Sequence, residues 1–355
     1  MTRIDFGYPS LSVRTRWISG RLAVRLATVT ATLFILAMVL AIFAITLGDY
    51  PLRFDEMVRT LIGSGEEFHR TIVIEWRLPV LLAALVFGAL LGVGGAIFQS
   101  LTRNPLGSPD VIGFDAGSYT AVVALMLVAG NTSYWPIAGA AICGGLLTAF
   151  AVYVLAYRRG IQGFRLIIVG IGVTAMLGSV NSYLITRADL RDAVAVGFWG
   201  AGSLGRVSWS SMIPSLIVAA VIFIAASLLA GDLRRLEMGD DAAVTLGTRI
   251  GRARLLLIVV GVSTTAMVTA AAGPIGFIAL VAPQIARRLT GTAGVSLLAS
   301  AAMGCLLLTA AQLLSLLFAQ LMRPVPVGLI TISLGGVYLI WLLIRETRTQ
   351  YGTTS

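Results

Sequence analysis

The chain has 355 residues, of which 57% are hydrophobic and only 12% are charged, and its mean hydropathy is +0.92. Soluble domains carry roughly 25% charged residues, so this composition excludes a water-soluble protein. It predicts an all-α polytopic membrane protein. All 26 basic residues are arginine, so there is no lysine for a Walker A phosphate loop. We therefore expect no nucleotide hydrolysis of that type by the chain itself.

Ten apolar runs are long enough to cross a hydrocarbon core of about 30 Å, which takes about 20 helical residues. They lie near 27–47, 78–98, 111–130, 135–156, 165–185, 210–230, 254–272, 274–290, 295–318 and 327–345. The sequence thus predicts an Arg-rich N-terminal tail over 1–26, a transmembrane domain over 27–345 and a C-terminal tail over 346–355.

The distribution of arginines between the two sides of the membrane tests whether the number of spans is even. With the N-terminus inside, 18 arginines fall on the inner side and 8 on the outer side, while the 16 acidic residues divide equally. Such a bias predicts that both termini are cytoplasmic. Topology accounts for the whole net charge of +10, so the expected surroundings are a lipid bilayer and not nucleic acid.

Several prolines fall at or near membrane depth, at Pro105, Pro109, Pro274 and Pro283. Non-helical backbone at that depth is tolerated where protein or a water-filled cavity surrounds it, and broken helices often border a transport path. The spacing alone is equally compatible with plain kinks.

Few chemically reactive residues accompany these spans. Asp110 and Asp115 lie near the inner end of the third span without the buried carboxylate relay that is usual in ion-coupled carriers. A single histidine, His69, and two cysteines, Cys143 and Cys305, are too few for a zinc site. We expect an exposed loop histidine, two packing cysteines, no metal site and no catalytic residue.

The longest predicted cytoplasmic connection is 231–254. It contains a short amphipathic stretch that Asp240 or Asp241 can cap at its start and that Gly247 can end in a left-handed conformation. The pattern predicts a stub helix that is either a docking knob or an ordered loop.

Seven strings in order resemble the permeases of binding-protein-dependent ABC importers of the iron-siderophore and vitamin B12 class. They cover 75–79, 95–101, 103–113, 164–172, 198–204, 273–288 and 326–336. The segments RNPLGSPDVIGF, FRLIIVGIG and GDDAAVTLG are especially similar to the sequences of ferric enterobactin permease subunits. The resemblance implies the type II ABC importer permease architecture and import of a ferric siderophore, with a catecholate favoured.

The resemblance also implies the partners. These are two copies of a cytoplasmic ABC ATPase, a second permease chain related to this one, and a periplasmic or lipid-anchored siderophore-binding protein. The implied location is the cytoplasmic (inner) membrane. No cofactor is expected, because ATP binds the ATPase and iron travels inside its chelate.

Three sets of site residues follow from the resemblance. The ATPase-coupling set is Leu236, Met238, Gly239, Asp240, Asp241, Ala242, Ala243, Leu246 and Gly247. The translocation path and its helix breaks are assigned to Gln99, Asn104, Pro105, Leu106, Gly107, Pro109, Gly113, Gly273, Pro274, Phe277 and Pro283. The binding-protein docking set is Arg77 and Arg323.

The sequence departs from the family pattern at two positions. Gln284 stands where the family often has a histidine, and Val80 stands where it tends to have a second docking arginine. Vitamin B12 or haem import by the same family stays an alternative, as does an ion-coupled carrier. An intramembrane enzyme is disfavoured because no histidine or paired carboxylate lies at membrane depth.

Overall fold

The computed structural model of the chain describes residues 10–14, 19–110, 112–156 and 163–351. Two short strands come first, β1 (Ser10–Arg14) and β2 (Ser19–Ala23). The helices are α1 (Val24–Thr46), α2 (Phe54–Leu61), α3 (Glu67–Arg70), α4 (Leu78–Thr102), α5 (Phe114–Val128), α6 (Tyr134–Ala156), α7 (Gly163–Arg187), α8 (Leu190–Gly200), α9 (Trp209–Glu237), α10 (Asp240–Thr245), α11 (Ile250–Ala272), α12 (Ile278–Thr290), α13 (Leu297–Leu321) and α14 (Val327–Tyr351). A π-helical turn, Thr71–Arg77, joins α3 to α4.

The helical membrane fold is confirmed, while the number of crossings stays a prediction. Seven helices among the described residues are long and apolar enough to cross a membrane, and α5 and Val327–Trp341 are shorter apolar helices. The predicted run 274–290 forms only α12, whose 13 residues extend about 20 Å. This helix is short because the chain from Gly273 to Phe277 is not helical.

The centre of the bundle is α4, which packs most extensively against α13 and also contacts α9, α11 and α12. Glycines allow this close approach. A Cβ on Gly88 would collide with the carbonyl of Gly304, and one on Gly92 would collide with that of Ser300. Small residues thus set the interhelical distance by backbone contact, as is usual where no hydrophobic drive acts between helices.

Gly95 makes the corresponding approach to α12. Pro283 lies inside α12, so no helix break falls at this residue. Proline has no N–H, and therefore the carbonyl of Ala279, one turn earlier, has no helical donor from that position. The backbone of α4 packs against this carbonyl at Gly95, where a Cβ would overlap the oxygen.

The two cysteines differ. Cys305 is buried in α13, and its thiol donates to the carbonyl of Leu85 at 3.0 Å, which confirms a packing role. Cys143 is exposed on α6, so the packing prediction is wrong there.

One end of the bundle carries α10, the start of α1 and the end of α12; we call it the basic end. Here Arg25 donates to the carbonyl of Leu289 at 3.0 Å. The hairpin of β1 and β2 leads directly into α1, with Ser10 opposite Ala23 and Arg14 opposite Ser19. The predicted tail over 1–26 thus contains ordered backbone in the part that the structure describes.

The opposite end carries α2, α3, the π-helical turn and α8, none of which the apolar runs predicted. His69 lies in α3, is buried, and has its Nε2 3.4 Å from the Tyr50 hydroxyl. The prediction of an exposed loop histidine is therefore wrong. The indole of Trp209 donates to the carbonyl of Ile74 at 2.7 Å, which ties the π-helical turn to α9.

We expect Gly95→Ala to destabilise the purified protein by about 1–3 kcal/mol, because the new methyl group overpacks the contact with α12. The measurement is thermal unfolding in detergent. The matched control is Gly139→Ala in α6, where a Cβ meets nothing within 4 Å. Equal melting temperatures for the two variants would contradict the spacing role of Gly95.

Candidate coupling and translocation site

The predicted stub helix is present as α10, and a glycine with positive φ stands before it and another after it. Its N-cap is Gly239 with φ of 115°, and no side chain caps it, so the prediction that Asp240 or Asp241 caps the helix is wrong. Gly247 follows with φ of 82°, which confirms the left-handed ending. Because α9 continues to Glu237 and α11 begins at Ile250, the connection is shorter than the predicted 231–254.

Asp240 binds two arginines instead of capping α10. Arg254 donates to its two carboxylate oxygens at 2.8 and 2.9 Å, and Arg103 donates to Oδ1 at 2.8 Å. The Arg254 side chain is only 14% exposed, whereas the Arg103 side chain is 48% exposed. Arg103 also donates to the carbonyl of Leu236 at 2.9 Å. These contacts join α10 to α11 and to the end of α4.

α10 and the residues on either side of it present apolar side chains outward. Met238, Val244 and Leu246 are 60%, 58% and 53% exposed, whereas Ala243 is fully buried. Asp241 is exposed beside them. The exposed face of α10 is therefore an apolar ridge with a carboxylate at its start.

The chain leaves the helix at Arg103, whose φ is 50°, and is irregular up to Asp110; we call 103–110 the hinge segment. The side chain of Asn104 accepts the amide hydrogen of Leu106 at 2.9 Å, which forms a tight turn. Gly107 closes this turn through a bond from its N–H to the Asn104 carbonyl at 2.9 Å. Gly113, with φ of 91°, starts α5.

The hinge segment lies along α12 and is bonded to it at two heights. The Gln284 amide donates to the carbonyl of Pro105 at 2.8 Å. At the N-cap of α12, seven residues before Gln284, the amide hydrogen of Phe277 binds Asp110 Oδ2 at 2.8 Å. Pro105 is exposed and Pro109 is buried, so the segment enters the bundle between these points.

The hydrogen bonds between the hinge segment and α12 form a line of polar contacts, which we call the polar seam. Gln284 and Gln99 make further bonds along it. The Gln284 carbonyl oxygen accepts the hydroxyl hydrogen of Tyr338 on α14 at 3.3 Å. Gln99 donates from α4 to the carbonyl of Leu280 at 2.8 Å. Residue 284 therefore joins α12, α14 and the hinge segment through neutral hydrogen bonds.

The second helix break separates α11 from α12. Gly273 has φ of 80° and Phe277 has φ of 69°. A non-glycine residue in the left-handed region costs about 1–2 kcal/mol. The Phe277 ring packs against Gly335 of α14, where a Cβ would overlap it. The predicted break at Gly273-Pro274 is confirmed, because the helix ends at Ala272. The break ends at Phe277, the strained residue whose amide hydrogen binds Asp110.

The two predicted docking residues, Arg77 and Arg323, lie at the opposite end in different surroundings. Arg77 is half-buried, and its guanidinium donates to the carbonyls of Ile45 and Tyr50, each at 2.6 Å. Arg323 is exposed in the turn after α13. Arg77 thus holds the chain after α1, whereas Arg323 presents its charge to the surroundings.

The structure brings the coupling set together with the beginning of the path set. Gln99, the hinge segment and α12 form one seam beside α10. The sequence did not single out Arg254 or Asp110 as bonding residues, because their partners are distant in the chain. The proline and glycine pattern of the hinge segment was the available signal.

The fold and the seam define a multi-pass membrane protein of the permease type, and comparison with known proteins names its family. Residues 35–345 match the model of the FecCD transport family, to which the chain belongs. It is a transport subunit and not a catalyst.

Three curated relatives match this chain over nearly their whole lengths. The ferric enterobactin transport system permease protein FepG of Escherichia coli strain K12 is 48% identical over 325 residues, which cover 91% of this chain and 97% of FepG. The iron(3+)-hydroxamate import system permease protein FhuG of Bacillus subtilis strain 168 is 33% identical, with coverage of 89% and 96%. The hemin transport system permease protein HmuU of Yersinia pestis is 32% identical, with coverage of 94% and 100%.

A solved structure shares the fold. It is an inward-facing conformation of a transporter described as being of the metal-chelate ABC type. It superposes with a TM-score of 0.76 at 22% identity and covers 90% of this chain and 99% of its own.

We expect Asp240→Asn to loosen α10, because it removes the charge that two arginines share, worth about 1 kcal/mol in total. Hydrogen exchange of the amides over 238–249 should quicken by about fivefold in the full-length protein. Asp241→Asn, the neighbouring exposed carboxylate, is the control and should leave exchange unchanged. Equal exchange in both variants would show that the arginine pairs do not hold α10.

Proposed function

We propose that this chain is the permease subunit of an ABC importer that moves a ferric siderophore of the catecholate type across the cytoplasmic (inner) membrane, driven by a separate ATPase. The observation that carries this proposal is the 48% identity to FepG, whose name gives ferric enterobactin, over 91% of the chain. Haem is the second candidate cargo, because the hemin permease HmuU is 32% identical. Iron is cargo here, held by its chelate.

The ridge on α10 supports ATPase docking. Met238, Val244 and Leu246 expose apolar surface outside the bundle, and an amphipathic helix of this kind fits a hydrophobic groove. The neighbouring arginines hold α10 in place, so it presents this ridge as a fixed shape. In the proposed assembly two ATPase copies each take one such helix, one from this chain and one from a second permease chain.

We expect Val244→Asp to abolish most iron uptake, since a carboxylate cannot enter an apolar groove without a large desolvation cost. The readouts are the amount of ATPase that copurifies with the chain and the uptake of labelled ferric chelate by cells. Val244→Ile is the matched control and should retain both. Full ATPase recovery with Val244→Asp would contradict docking through this ridge.

Two exposed apolar faces support pairing with a second permease. On α7 and α14 the exposed large apolar side chains are Phe164, Ile168, Ile171, Met176, Val180, Leu334, Val337, Ile340 and Trp341. A related chain packed near these faces encloses a path along the shared axis, with the hinge segment at its basic end.

The opposite end supports docking of a siderophore-binding protein. Arg323 offers an exposed charge there, while Arg77 shapes the surface from beneath through its two carbonyl bonds. The proposal therefore gives the two arginines different roles.

We expect Arg323→Glu to reduce binding-protein-stimulated ATP hydrolysis by about tenfold without changing the melting temperature, because it reverses a charge at the interface. Arg77→Glu should reduce the same stimulation and also lower the melting temperature, because two internal hydrogen bonds are lost. The measurements are ATPase activity of the complete complex in vesicles and thermal unfolding. Unchanged stimulation in Arg323→Glu would remove that residue from the docking surface.

The decisive test is reconstitution with and without the ATPase. Vesicles with the complete complex should accumulate ferric catecholate and consume ATP, whereas vesicles with this chain alone should do neither. Accumulation by the chain alone would overturn the proposal. Accumulation of haem and not ferric catecholate would select the second candidate.

A further inference from the structure

The hinge segment is bonded to α10 at its start and to the break between α11 and α12 at its end. At its start, Arg103 binds Asp240 of α10 at 2.8 Å. At its end, Asp110 binds the amide hydrogen of Phe277 at 2.8 Å. Between these points Gln284 donates to the carbonyl of Pro105. The segment thus spans from the docking ridge to the break between α11 and α12.

The first bond joins the segment to α10 directly. Arg103 also donates to the carbonyl of Leu236, so it contacts the helix end before α10 as well as α10 itself. Arg254 binds the same carboxylate from α11. A displacement of α10 therefore pulls on both the hinge segment and α11 through Asp240.

The last bond acts on a residue with unusual backbone. Phe277 is one of two non-glycine residues with positive φ among the described residues, and the other is Arg103. Such conformations persist where surrounding contacts over-determine them, and they cluster at switch regions. The hinge segment therefore begins at one strained residue and is bonded to the other. The Phe277 ring also packs on Gly335, so a shift there reaches α14.

We propose that the hinge segment is the linkage that carries movement of α10 to the helix break at Phe277, with Arg103 and Asp110 as positioning residues. This inference rests on the proposed function, because the movement of α10 comes from the ATPase. Phe277 and Gly335 then shift as α10 is displaced, and ATP hydrolysis at the basic end changes the packing of α12 against α14 inside the bundle.

The test compares Asp110→Leu with Asp110→Asn in the complete complex in vesicles. Asparagine keeps an oxygen that accepts the Phe277 amide hydrogen, whereas leucine has a similar size and accepts none. The readout is ferric catecholate moved per ATP hydrolysed. We expect about a fivefold to tenfold loss for leucine with ATP hydrolysis retained, and near-normal coupling for asparagine.

Arg103→Gln tests the other end, with Arg252→Gln on the same basic end as its control. We expect Arg103→Gln to lower the transported amount per ATP by about fivefold. The Arg103→Gln and Asp110→Leu double variant should be no worse than the poorer single variant, because both act on one linkage. Independent effects would instead multiply.

The outcomes separate the linkage from the function on which it rests. A wild-type complex that moves no chelate overturns the proposed function. A working wild type with unchanged coupling in Asp110→Leu and Arg103→Gln overturns the linkage alone. If Asp110→Leu fails to assemble, as judged by size-exclusion chromatography, Arg103→Gln and its control decide.

Discussion

The need to satisfy backbone polar groups in a bilayer governs this structure. An unbroken helix meets that need by itself, whereas an irregular segment at membrane depth must find other partners. The chain departs from helix at the hinge segment and between α11 and α12, and it places the two departures side by side. Asp110 receives the amide hydrogen of Phe277, and Gln284 donates to the Pro105 carbonyl. The irregular backbone of each break thus finds a hydrogen-bond partner in the other break or in the helix beside it.

This pairing explains why most side chains of the seam are polar and uncharged, with Asp110 as the carboxylate among them. Amide side chains at 99 and 284 donate to carbonyls without carrying a charge whose burial would be costly. Gln284 makes these bonds with a side chain that does not titrate. The charged contacts stand at the basic end, where Asp240 and its arginines are partly exposed.

Local pattern predicted much of the fold. Runs of apolar residues located most of the helices, and glycine with proline located both breaks and the end of α10. The contacts that organise the site were not predictable, because they join distant residues. Arg103 and Asp240 are 137 positions apart, and Gln284 and Pro105 are 179 apart. No periodicity in the sequence connects such pairs.

The errors have the same origin. Asp240 is a residue type that often caps a helix, but its carboxylate binds two arginines from other elements instead. The helices α2, α3 and α8 are too short to be stable alone and depend on packing against the rest of the chain. The internal bonds of Arg77 were missed for the same reason, because the carbonyls of Ile45 and Tyr50 that hold its guanidinium lie far from it in the chain.

The backbone contacts at Gly88, Gly92 and Gly95 have an evolutionary consequence. Any side chain there forces the facing helix to move, so a change at one helix demands a simultaneous change at another. Sequence drift is therefore confined to surfaces where a single substitution meets lipid, a neighbouring subunit or cargo. Preference for a new chelate can then arise on the rim of the bundle while its internal spacing is inherited unchanged.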